Sequence, residues 1–340
     1  MTEVLGNIIM FGMIVLLFYF MNLSEKNRLT STSSSSMVWA ILPYSIVILG
    51  YLLIIILGNF FTFILPQVNN DHAFPISIPA ENWPAIGLSL IIPSLAALIL
   101  LIPIVRKGLA KLIPIDANNR VHALALAISM LVFIQLFVTT AIGLDFMAET
   151  TEQSSLGTLL ASLWSQDIML AFLSLIGVGF LTRRNLKETL SRLGFVKPRL
   201  SQLLIGILIG FLLIILALTL ESISSLFQLG QDPAVDELTE DMLGPLFTSF
   251  IGILTLGLAA ALGEETLFRG ALQPRFGLIF TTILFTFTHA NYGFSIATLV
   301  VFVVGLCLGF VRMRLNTNTA MVIHATYNIG LGLLTYLSFG

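Results

Sequence analysis

The residues best suited to chemistry lie in the last third of the chain. Gly263, Glu264, Glu265, Thr266, Leu267, Phe268 and Arg269 follow an uncharged apolar stretch, which sets two carboxylates and a guanidinium in or beside hydrocarbon. Ionisable groups are costly there and are functional candidates by default. Two later apolar runs carry Phe285 with His289 and His324 with Asn328, each pair four residues apart and so on one helix face. Glu265 and Arg269 are also four apart, with the acid nearer the N-terminus, the favourable order for an ion pair. Glu264 is rotated by about 100° from Glu265 on a helix and is left without that partner. A single histidine in an apolar run is usually a hydrogen-bonded core residue. Two of only four histidines join a carboxylate and an amide within these segments, so a packing explanation has to cover all of them together.

The chemistry that such a set supports is hydrolysis by an activated water. Glu264 is the candidate general base, with neutral His289 positioning the same water. His324 and Asn328 are candidate donors to the oxyanion formed when that water attacks an amide carbonyl. Glu265, Arg269 and Phe285 are supporting residues. A covalent nucleophile is not suggested, because no Gly-x-Ser-x-Gly turn is present and Cys307, the sole cysteine, has no base beside it. No cofactor is expected. Zinc is the alternative, with Glu264, His289 and His324 as ligands, although His-Glu-x-x-His is absent and adjacent glutamates on a helix diverge too far to chelate one ion together.

The elements that must position these residues are membrane helices. The chain has 340 residues, 57% hydrophobic and 10% charged, with a mean hydropathy of +0.99, which excludes an ordinary soluble domain. Continuous apolar runs of roughly 20 residues predict an all-α, polytopic transmembrane bundle of about ten spans. They fall near 4–22, 38–65, 84–105, 121–144, 158–181, 201–220, 246–272, 276–291, 294–311 and 318–339. The first is read as a retained span, since Glu3 and no basic residue precedes it and no small-residue cleavage site follows.

With ten spans, the basic groups around Lys26, Arg106, Arg183 to Arg199, Arg269 with Arg275, and Arg312 with Arg314 share one side. The opposite loops hold carboxylates such as Asp71, Asp145, Asp236 and Glu240. The positive-inside rule makes the basic side cytoplasmic, in a cytoplasmic (plasma) membrane. At 1.5 Å per residue from that side, Glu264, His289, His324 and Asn328 lie about 12, 20, 10 and 16 Å deep, so one cavity facing the cytoplasm is expected. Asp167, with Gln166, is placed at the acidic membrane interface. Residues 30–36 read as a solvated Ser/Thr loop. Leu186, Leu190 and Leu193 at helical spacing predict a surface helix ended by Pro198. The pairs Gly206 with Gly210 and Gly305 with Gly309 read as close helix packing. The chain divides into an N-terminal transmembrane region of unknown role (1–182), an amphipathic linker (183–200) and the reactive region (201–340).

In those last residues the chain resembles the CPBP family, the CAAX proteases and bacteriocin-processing enzymes also called Abi. The motifs are Glu-Glu-x-x-x-Arg at Glu264, Glu265 and Arg269, Phe-x-x-x-His at Phe285 and His289, and His-x-x-x-Asn at His324 and Asn328, within roughly residues 200–335. The resemblance implies an intramembrane endopeptidase acting on a membrane-associated, CAAX-like protein or peptide in the bilayer, with no nucleic-acid partner. It also implies that Glu264 and His289 act on water, His324 and Asn328 on the oxyanion, and Glu265 and Arg269 on architecture. Metal-dependent members are the first alternative, and a non-catalytic bacteriocin-immunity or scaffold protein the second. A secondary transporter ranks last, for lack of repeated halves.

Overall fold

In the computed structural model, which describes residues 2–30, 34–68 and 77–339, the chain is an integral membrane helix bundle with no β-sheet among the described residues. Asp71 and residues 31–33 of the Ser/Thr run lie outside them. Nine described helices are long and apolar enough to cross a bilayer: α1 (Thr2–Thr30), α2 (Met37–Val68), α3 (Ala80–Leu100), α4 (Arg120–Ile142), α5 (Leu156–Gly177), α6 (Leu200–Phe227), α7 (Phe250–Phe276), α9 (Ile296–Arg314) and α10 (Thr317–Ser338). Between α7 and α9 lies the shorter apolar helix α8 (Leu278–Phe287). Helices are the solution because hydrocarbon offers no partner for backbone N–H and C=O groups.

The eighth expected span is therefore only half helix. Ten residues cover about 15 Å of a hydrocarbon core of about 30 Å. Leu278 packs at Gly309 and Phe285 at Gly305, so α8 runs antiparallel to α9 from the basic end. The irregular segment 288–295 completes the crossing, and the next amide, Ile296 N–H, donates to Gly230 O at 2.9 Å. The helix stops where side chains take over a terminal carbonyl: Phe285 O accepts from Thr288 Oγ1 at 2.6 Å and lies 3.1 Å from His289 Nδ1.

α7 is the most buried span, packed between α5 and α10, with α6 behind α10. The N-terminal helices are not a separate appendage to this centre. Leu126 of α4 belongs to the same apolar cluster as Phe268 and Phe285, and Phe133 meets Phe287 edge-on at 5.4 Å. α1 lies parallel to α5, with Asn7 Nδ2 donating to Ser162 O and Asn22 Nδ2 to Ile176 O.

The ends carry the opposite charges that the sequence predicts. Burial, then Arg275, Arg184, Arg312 and Arg183, pull the Arg192 guanidinium down to about 10, which places basic residues from three segments, the linker and the chain around Arg275 and Arg312, at one end. Arg269 is the exception, fully buried within α7 rather than in a basic loop. The linker helix spans Leu186–Leu193 and ends at Gly194 (φ +81), four residues before the expected stop at Pro198. Leu186 and Leu190 are exposed, while Leu193 is buried against the bundle. At the acidic end, where the sequence predicts a loop, a helix spans Pro233–Phe247 and starts at Asp232, whose side chain caps Ala234 N–H.

A Cβ at Gly206 or Gly210 would lie 2.7 Å from Val322 Cγ1 or 2.6 Å from Thr326 Cβ. These glycines let α6 touch α10, the helix that carries His324 and Asn328. Gly210→Val is expected to cost about 1–3 kcal/mol by overpacking, read as a lowered thermal midpoint in detergent; an unchanged midpoint would show that α6 and α10 do not depend on this contact.

Candidate active site

Glu264 ends the regular α-helical part of α7, and residues Glu265–Leu272 continue as a π-helix. Insertions of π-helix within an α-helix are frequent at functional sites. The two adjacent carboxylates consequently have different surroundings. Glu265 is fully buried with Arg269, its Oε2 3.3 Å from the guanidinium Nε. The same guanidinium lies over the Phe285 ring, 4.4 Å from the centroid, so the motif phenylalanine of α8 covers the ion pair of α7. Glu264 keeps a 17% exposed side chain, and its Oε2 has no hydrogen-bond partner among the described residues.

His324 links the two acids. Its Nδ1 is 3.0 Å from Glu265 Oε1, which fixes the ring so that Nε2 sits 3.9 Å from Glu264 Oε2. One turn further along α10, Asn328 Nδ2 donates to Leu256 O at 3.4 Å and ties α10 to α7. His289 sits just past the end of α8. With Nδ1–H donated to Phe285 O, its Nε2 lone pair is left for the cavity. The Tyr292 ring stacks on His289 at 5.8 Å and steadies it from the irregular segment.

All four candidate catalytic residues line one cavity of about 1210 Å³. It passes from Glu264 and His324 past Asn328 to Glu221, Asp236 and Glu240, beneath the helix Pro233–Phe247, and no Lys or Arg lines it. The expected opening towards the basic end is thus corrected: the cavity opens at the acidic end. Counting residues along helices gave depth, but could not tell which end the packing closes.

Asp167 requires a second correction. It is 1% exposed, lines the same cavity and packs on the backbone of Gly263, rather than lying at the interface. A Cβ at Gly263 would fall 2.2 Å from Asp167 Oδ1, so the glycine before Glu264 admits this carboxyl. The available signals were that Asp167 is the only acid inside a first-half span and that a glycine precedes the motif. Tyr292 carried no signal in the sequence.

The zinc alternative fits poorly. Among the described residues no three His, Cys, Asp or Glu side chains are grouped to hold a metal ion. Both histidines turn Nδ1 to a protein partner, His324 to Glu265 and His289 to a backbone carbonyl, which fixes the orientation of each ring.

No curated protein and no solved structure matches the chain. A family model does, described as Type II CAAX prenyl endopeptidase Rce1-like, over residues 246–330. That interval is narrower than the resemblance drawn from the motifs, yet it contains every motif residue from Glu264 to Asn328. Over this segment the chain is similar to the CAAX-type intramembrane proteases of the CPBP family.

Proposed function

We propose that the protein is an endopeptidase that hydrolyses a peptide bond of a membrane-associated protein or peptide with water activated by Glu264. The observation that carries this reading is the unpartnered Glu264 oxygen facing, in one cavity, two oriented histidines and an amide. Glu264 takes a proton from water while His289 Nε2 holds that water in line with the scissile carbonyl. The oxygen attacks carbon, and the developing oxyanion accepts hydrogen bonds from Asn328 Nδ2 and from His324 Nε2 when that ring carries both protons. Glu265 keeps His324 Nδ1 engaged, so Nε2 remains aimed inward. No metal enters this scheme.

The mouth is acidic, and the positive-inside rule sets that end away from the cytoplasm. We therefore assign substrate entry to the non-cytoplasmic side or the adjoining leaflet. A membrane-impermeant thiol reagent should label Glu240→Cys in intact cells, in a Cys307→Ser background; labelling only after the membrane is opened would reverse the assignment.

The direct test is cleavage by purified protein in proteoliposomes. Glu264→Ala or His289→Ala should lower the rate by about 10²–10⁴ while insertion and thermal stability persist, and a chelator should leave wild-type cleavage unchanged. Undiminished cleavage by Glu264→Ala would reject the mechanism, and loss in chelator would restore the metal reading. Arg269→Met leaves Glu265 buried without its cation, which is expected to destabilise by about 3–5 kcal/mol. Chemical or thermal unfolding in detergent would read this, and a change below about 1 kcal/mol would remove the pair from its supporting role.

A further inference from the structure

Hydrolysis of an amide needs two proton movements, one from the attacking water and one onto the departing nitrogen. The motif residues account for the first. Asp167 is the remaining carboxyl of the same chamber, and it comes from α5, outside the residues that the family model covers. Its Oδ1 is buried and has no hydrogen-bond partner among the described residues. The ionisable groups that face it are Glu264 from α7 and His324 from α10, and no Lys or Arg lines the cavity. Asp167 packs on Gly263, the residue immediately before Glu264, and both carboxyl groups line the same chamber. Removed from water and beside another carboxylate, such a group is retained at lowest cost as the neutral acid.

We propose that Asp167 is the general acid of the reaction, a catalytic residue outside the three motifs that donates its proton to the leaving amine. This rests on the endopeptidase reading above. The steps balance as follows. Water gives one proton to Glu264, and its oxygen bonds to the carbonyl carbon. As the C–N bond breaks, the nitrogen takes the proton of the Asp167 carboxyl, and a carboxylic acid and an amine leave. Glu264 then passes the proton that it took to Asp167, directly or through a second water, and both groups return to their starting forms.

The inference is tested by how strongly rate depends on the leaving group. Wild type and Asp167→Asn are compared in proteoliposomes on a peptide and on the p-nitrophenyl ester of the same acyl portion, whose leaving group departs without a proton. Asp167→Asn is expected to lower the ratio of peptide to ester cleavage by about 10²-fold or more. Equal losses on both substrates would assign Asp167 a purely structural role, and no loss on either would exclude it from the reaction; either overturns the inference. If the Asn variant does not insert, Asp167→Ser gives the same comparison with a smaller side chain. Wild-type protein inactive on both substrates, or Glu264→Gln as active as wild type, defeats the endopeptidase reading itself; an active, Glu264-dependent enzyme with an unaltered Asp167→Asn ratio defeats only the present inference.

Discussion

The buried pair between Glu265 and Arg269 is the constraint on which the site depends. Two opposite charges in hydrocarbon remain there only if each satisfies the other, and removing one partner leaves an uncompensated charge. The pair also joins three helices. Glu265 and Arg269 belong to α7, the Phe285 ring of α8 lies under the guanidinium, and His324 of α10 bonds the carboxylate oxygen that Arg269 does not take. Glu264 can face a cavity because its neighbour in sequence anchors the surrounding helices.

Backbone irregularity is concentrated at the same place. The π-helix of α7 begins directly after Glu264, and α8 stops two residues before His289. In hydrocarbon, freed backbone groups need protein partners or a polar cavity. Phe285 O finds the side chains of Thr288 and His289, so the bond that ends the helix also orients the catalytic candidate. The glycine contacts at Gly210, Gly263 and Gly305 place backbone where a Cβ would otherwise hold neighbouring helices apart. Site geometry and helix packing thus rest on overlapping residues.

The chamber suits a substrate presented from the membrane. Apolar residues such as Leu218, Val300, Val301 and Leu331 form much of its wall, with polar groups grouped at its inner end and carboxylates at its mouth. The helix Pro233–Phe247 bounds the entrance, so the connection between α6 and α7 shapes access as well as topology.

The sequence alone determined the membrane class, because apolar run length follows directly from hydrocarbon thickness, and, Arg269 apart, the segregation of charge, because a cation costs least at an aqueous end. It also singled out the candidate residues, since buried ionisable groups are costly in lipid and spacing by four gives a common helix face. Only the tertiary structure decided which end of the cavity is closed, since that depends on how α7, α10 and the helix Pro233–Phe247 pack. It likewise decided that α8 is half a span, because side chains from Thr288 and His289 compete for a backbone carbonyl, a local contest that apolar periodicity does not register. Asp167 is the clearest case. Its position along α5 looked interfacial, and only the bare backbone of Gly263, distant in sequence, brings it beside Glu264.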